Sequence, residues 1–203
     1  MAAAVPVVGI CGPSAAGKSM LAAALCRGLQ ERRRRSLVLA CDNYYRPDWD
    51  PNGRFGFDTV DAIDLPCLRQ ELAALRAGTC QSLRTYDMAT RRAGRTPLSG
   101  EPPELVLLEG AYGPQPFLSD GTIALLVYVQ TPLALRIVRR LRRDQQQRQR
   151  SARYVLRQTL LQTIPGEHHF IRPLRDRADL VVHDPQQSVA DVTEQIVRML
   201  GAR

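Results

Sequence analysis

Residues 12–19 read Gly-Pro-Ser-Ala-Ala-Gly-Lys-Ser and satisfy G-x-x-x-x-G-K-[ST] at every fixed position. The apolar, β-branched run VPVVGIC (5–11) precedes them, and an Ala- and Leu-rich helical segment near 18–33 follows. A chain that wraps an anion must point several backbone N–H groups inward, and glycine permits that path. The helix that follows presents its positive N-terminal end to the same anion. Gly12, Pro13, Ser14, Ala15, Ala16, Gly17, Lys18 and Ser19 are therefore the candidate phosphate-binding residues. In such a loop the lysine spans the terminal phosphates and the hydroxyl ligates Mg2+. Composition sharpens the point, because Lys18 is the only lysine among 28 Lys and Arg residues. A compact ammonium fits inside a tight loop where a broad guanidinium does not. A single lysine at position 18 also rules out the N-K-x-D sequence that reads guanine.

The rest of the chain alternates apolar runs with amphipathic segments. SLVLAC (36–41), LVLLEG (105–110), IALLVYV (123–129) and ADLVVHD (178–184) read as further buried strands, and SLRTYD (82–87) as a short edge strand. Leu65, Leu68, Leu72 and Leu75 share one helical face, which Gly78 ends. Leu133, Ile137 and Leu141 stack in a helix started by Thr131 and Pro132, with Arg136, Arg139, Arg140 and Arg143 mostly on other faces. Leu156, Leu160 and Ile164 repeat that spacing, and Val189, Val192, Ile196 and Leu200 line a last helix. Residues 43–57 form a loop too elaborate for a connector, and 91–104 is turn-rich. The alternation predicts an α/β fold, a parallel sheet with helices on both faces.

With 203 residues and 44% apolar content, a single domain over 1–203 is expected. Five cysteines with no C-x-x-C pair argue against a disulfide scaffold or a zinc site, and no segment has the length of a membrane helix. The expectation is a soluble cytoplasmic protein with no membrane partner. A formal charge of +8 invites a polyanionic partner, but few aromatics interleave the arginines, so no nucleic-acid platform is expected. The run ERRRR (31–35) is read as a solvated helix face, and His168 and His169 as packing or surface residues. Asp42 and Glu109 end predicted strands, where ligands of open α/β sheets gather. A carboxylate there takes a proton from a hydroxyl or holds Mg2+.

In order and spacing, the phosphate loop, DNYYRP (42–47), FDTVDAID (57–64), YDMATRR (86–92), LVLLEG (105–110) and RRLRRDQQQRQR (139–150) resemble the uridine kinase-like family. The resemblance covers roughly residues 5–184. It implies a P-loop NTPase-type sheet with a small Arg-rich lid near 142–152. It also implies a kinase that uses ATP and Mg2+ and phosphorylates a small-molecule alcohol, by default the 5′-hydroxyl of uridine or cytidine. Asp42 then matches the base that also organises magnesium. Ser19 and Glu109 match residues at the metal. Tyr45, Asp58, Tyr86, Arg140, Arg150 and Gln158 match positions around the acceptor. Arg143 and Arg148 match lid arginines over the ATP phosphates, with Lys18 and Arg143 counted as catalytic. A homo-oligomer is compatible with this reading.

Two positions depart from the family pattern. Arg91 or Arg92 stands where uridine kinases carry a histidine that hydrogen-bonds the pyrimidine, and arginine has donors but no acceptor. Arg148-Gln149-Arg150 replaces the usual R-G-R of the lid. An acceptor other than a pyrimidine nucleoside is the alternative: a sugar, nicotinamide riboside or a vitamin-like alcohol. A nucleotide-binding regulatory protein is the remaining one.

Overall fold

The sequence's four long apolar runs become the centre of a five-stranded parallel sheet. We describe residues 4–201 of a computed structural model. β1 (Val7–Cys11) and β5 (Leu105–Glu109) are buried along their whole lengths. β2 (Ser36–Ala40), β6 (Ile123–Val129) and β7 (Leu180–Val182) complete the sheet in the order β2-β5-β1-β6-β7. The first three pair in even register, Val7 opposite Val106 and Leu37 opposite Val106. Continuous Val, Leu and Ile suit strands covered on both faces. One face packs under α1 (Lys18–Glu31) and α7 (Val189–Gly201), where Leu21, Leu25, Leu29, Val192 and Ile196 meet Val8, Ile10 and Leu107. The other packs against α2 (Leu65–Arg76) through Leu68, Leu72 and Leu75. The Asp64 side chain caps α2 by accepting from the Cys67 N–H at 3.2 Å.

Three expectations are corrected. The expected short edge strand SLRTYD forms, apart from the main sheet. It is β3 (Ser82–Asp87), paired only with the antiparallel β4 (Arg92–Pro97) in a separate hairpin. The turn-rich reading of 91–104 missed β4, whose residues are all exposed and carry no apolar alternation to signal a strand. The run 31–35 is not a helix face either: α1 ends at Glu31, and Arg34 and Arg35 pair with Glu104 and Glu101 across the following turn.

The third correction concerns the helices beyond β6. In α3 (Leu133–Arg148) the row that turns inward is Arg136, Arg140 and Asp144, whereas Leu133 is 43% exposed. The next stretch is one helical rod: α4 (Ala152–Gln158), a π-helical turn Thr159–Thr163, α5 (Ile164–Gly166), a second π turn Glu167–Ile171, and α6 (Arg172–Arg175). Its buried row is Val155, Thr159, Thr163, Glu167 and Ile171, while Leu160 on the expected apolar stripe is 60% exposed. The cause of the π turns is in the sequence. Pro165 and Pro173 lack an N–H, and their rings exclude the carbonyl four residues back. Just before each, an N–H reaches back five residues instead, Ile164 to the Thr159 carbonyl and Arg172 to the Glu167 carbonyl. Four α-helical residues rotate about 40° past a full turn. Wider π turns remove that drift and keep the row on one face.

Candidate functional site

The phosphate loop leaves β1 at its carboxyl end and returns through Gly17, which caps α1 in the left-handed region at φ 101°. Gly12 is fixed by close approach: its φ is +139°, and a Cβ there would lie 2.3 Å from the Val129 carbonyl oxygen of β6. Within the loop, the buried Lys18 Nζ donates to the Pro13 carbonyl at 3.0 Å. The Ser19 hydroxyl donates to Glu109 Oε2 at 3.1 Å, joining the loop to the end of β5. Burial raises the Glu109 carboxyl above its ordinary value, with Lys18 acting in the opposite direction. Asp42 lies beyond β2, in a short 3-10 turn (Cys41–Tyr44). Ser19, Glu109 and Asp42 are few, hard oxygen donors, a set that fits Mg2+ completed by phosphate and water. Among the described residues no group of three or more His, Cys, Asp or Glu could hold a metal alone.

These residues open into one cavity of about 530 Å3. Ser14, Ala15, Gly17, Lys18, Ser19, Asp42 and Glu109 line one part of it. Tyr45, Phe57, Asp58, Tyr86 and Tyr112 line another, and Arg140, Arg143, Arg148, Arg150 and Gln158 stand over both. The fold thus brings together all the metal and acceptor residues expected from sequence, and both lid arginines. Gly12, Pro13 and Ala16 belong to the loop but do not line the cavity.

The aromatic wall is built by contact. The Tyr45 ring sits 6.2 Å edge-on to Phe57 and 6.0 Å from Tyr86. Asp58 is buried, accepts the Thr163 hydroxyl at 2.8 Å, and is raised in pKa by burial with Arg140 opposing. Gly166 makes that contact feasible: a Cβ there would stand 2.2 Å from the Asp58 carbonyl oxygen, so only glycine lets the rod approach this closely.

The arginines are organised by one carboxylate. Asp144 is fully buried and faces Arg143 at 2.9 Å, Arg150 at 3.5 Å, Arg148 at 3.7 Å and Arg140 at 4.0 Å. Arg140 also donates to Gln158 Oε1 at 3.1 Å. Gln149, where the family pattern has glycine, takes φ 52° and ends α3, its N–H returning to the Asp144 carbonyl. Burial, then the neighbouring Arg143, lowers the Arg148 guanidinium below its ordinary value.

Sequence reasoning missed Glu167. Its buried carboxylate accepts the Ser14 N–H at 2.9 Å and grips Arg136 Nη1 with both oxygens at 2.7 and 2.9 Å. Arg136 reaches on to the Ser14 carbonyl at 3.3 Å, and Thr131 donates to the Ala16 carbonyl at 2.9 Å. The phosphate loop is therefore held from outside by α3 and the rod. Glu167 stands 148 positions or more beyond the loop, and only the inward row 155/159/163/167 could have marked it. Tyr112 was also missed: its buried hydroxyl on the cavity wall has no hydrogen-bond partner. His168 and His169 stay outside the cavity, where His169 stacks on Phe55 at 5.5 Å.

Comparison with known proteins agrees with this architecture. Residues 7–192 match the model of the phosphoribulokinase / uridine kinase family. A uridine kinase of Lactobacillus helveticus is 30% identical over 182 residues, covering 87% of this chain and 85% of the relative. A structure described as a possible uridine kinase from Bacillus stearothermophilus superposes with TM-score 0.64 at 19% identity, covering 90% of each chain. Phosphoribulokinase from Rhodobacter spheroides gives TM-score 0.58 at 15% identity over 87% of this chain and 68% of that one. With a P-loop at the end of β1, a parallel sheet of this order and a family match over nearly its whole length, the chain belongs to the phosphoribulokinase / uridine kinase family of kinases.

Proposed function

We propose that the protein transfers the γ-phosphoryl group of ATP to a hydroxyl of a small polyhydroxylated metabolite. The observation that carries this reading is the single cavity in which Lys18, Ser19 and Glu109 share walls with Asp42, Tyr45 and Asp58 under Arg143 and Arg148. Bound Mg·ATP supplies the phosphoryl group and its counter-ion. Asp42 takes the proton of the acceptor hydroxyl as its oxygen attacks phosphorus. Lys18 and the loop amides hold the phosphates, so the charge left when the bridging P–O bond breaks falls where donors already stand. Arg143 and Arg148 line the cavity where they neutralise the transferring oxygens. Asp58 offers its carboxylate to acceptor hydroxyls, and Ser19, Glu109 and Asp42 would hold Mg2+, which would supply charge neutralisation at the phosphates. No helix of the described residues is long and apolar enough to cross a membrane.

The relatives' name, uridine kinase, brings uridine forward as an acceptor, and the family resemblance adds cytidine. One observation favours a second reading, a non-pyrimidine acceptor: Arg91 lines the cavity beside Tyr86 and Met88 and has no acceptor atom to offer a base. A transfer assay with Mg·ATP against nucleosides, pentoses and vitamin-like alcohols tests the proposal. Asp42→Asn is expected to lower kcat by about 10^2- to 10^4-fold while ATP still binds. Wild-type turnover in that variant removes Asp42 as the base.

A further inference from the structure

Arg91 lines this cavity from a left-handed turn position. It ends the loop between β3 and β4, with φ 58°, and its N–H closes the turn on the Asp87 carbonyl at 2.8 Å. The left-handed region suits glycine or asparagine. A long side chain held there is strained, and such strain collects where surroundings fix a residue for use. The hairpin itself would close better with glycine, so the guanidinium is what the position retains.

The side chain turns back over the cavity wall. Its guanidinium carbon lies 4.8 Å from the centre of the Phe57 ring, and Nη2 donates to the Trp49 carbonyl. Phe57 in turn meets Tyr45 edge-on. Stacking on one face and one backbone bond fix the plane of the fork. Its Nε is buried with no hydrogen-bond partner, and among the described residues no carboxylate lies within 4 Å of any Arg91 nitrogen. A cation with no carboxylate partner is therefore held in place on the cavity wall.

Charge across the whole cavity points the same way. Seven basic side chains line it against three carboxylates, Asp42, Asp58 and Glu109. The buried Asp144 serves Arg140, Arg143, Arg148 and Arg150, and Lys18 belongs to the phosphate loop. Neither reaches Arg91. We infer that the phosphate acceptor carries its own anionic group, a carboxylate or a phosphate monoester, and that Arg91 binds it and so sets acceptor specificity. The inference rests on the phosphotransferase reading above and narrows its substrate class. A planar fork of donors pairs bidentately with either anion.

The test uses matched acceptors with the full chain and Mg·ATP. D-glycerate against glycerol probes a carboxylate, D-ribose 5-phosphate against D-ribose probes a phosphate, and uridine and cytidine serve as neutral references. The expected result is a kcat/KM at least 10-fold higher for the charged member of one pair, carried by KM, and that pair identifies the anion. Arg91→Gln is expected to collapse the charged-to-neutral ratio by about 10- to 100-fold, and Arg91→Lys to restore part of it. A merely structural Arg91 would lower both members of a pair together and leave the ratio unchanged, which overturns the inference. Arg91→Gly suits φ 58° and keeps the hairpin closed, so a folded variant lacking the charge is available and its melting curve checks it. Uridine or cytidine used better than every charged acceptor overturns the inference and leaves the kinase reading intact. Transfer to none of these acceptors, with ATP bound, overturns both.

Discussion

The donor part of the cavity and its acceptor part are made in different ways. At the donor part, eight consecutive residues carry the amides, the ammonium and the hydroxyl, and the Lys18–Pro13 contact closes within the loop itself. At the acceptor part, Tyr45, Phe57, Asp58, Tyr86, Arg91 and Gln158 come from four separate stretches, and the key contact, Thr163 to Asp58, spans 105 positions. A local site tolerates change elsewhere in the chain. A site gathered from distant segments can change its ligand by altering one hairpin or one helix while the phosphate chemistry stays the same.

The sharpest way to break the comparison is at Lys18. Lys18→Ala is expected to lower kcat/KM by about 10^3-fold or more and to abolish ATP binding in a direct titration, with folding retained. If activity survives, the donor part is not local to this loop. Next is Glu167, where the two parts are tied together. Removing its carboxylate leaves the largely buried Arg136 without a counter-charge and frees the Ser14 N–H. Glu167→Ala should cost about 3 kcal/mol in chemical denaturation and raise the KM for ATP. Glu167→Gln, which still offers an oxygen to Ser14, should cost less. An unchanged KM in both would show that the loop holds its shape alone.

A smaller effect is expected from pH. Burial raises the folded-state pKa of Asp58 above its ordinary 3.8, so the folded protein holds this proton more tightly than the unfolded chain. The associated stability is present below pH 3.8 and is lost as pH rises through the raised value. Asp58→Asn, neutral throughout, should remove that loss and unfold later than wild type at neutral pH, while binding acceptor more weakly. Denaturation at several pH values checks the slope, and a wild-type slope in the variant would assign it to another group. The smallest effect belongs to the exposed stripe of the rod. Leu160→Gln should change stability by no more than about 0.5 kcal/mol, whereas Thr163→Val, which strips Asp58 of its hydroxyl donor, should cost more. Equal costs would restore the apolar stripe as core.

Legibility followed the same division. β1, β2, β5 and β6 were readable because continuous Val, Ile and Leu leave no choice but burial on both faces. The phosphate loop was readable because its chemistry is consecutive. The hairpin strand β4 was not, since R-A-G-R-T-P has no period and forms only by pairing with β3. The helices after β6 misled for a definite reason. Four-residue spacing fits an apolar row, 156/160/164, and a polar row one residue earlier, 155/159/163/167. Periodicity alone assigns the apolar row to the core.

By itself, then, the sequence determined the sheet, the phosphate loop and the strand-end carboxylates Asp42 and Glu109, because each depends on neighbours in the chain. Tertiary structure alone decided which helical row is buried, that Glu167 holds the phosphate loop, and that Arg91 lines the cavity beside Tyr86 without a carboxylate partner among the described residues. Those outcomes depend on what the fold sets opposite each residue: buried arginines need Asp144 and Glu167, and Asp58 takes the Thr163 hydroxyl, so the polar row turns inward against the hydrophobic pattern.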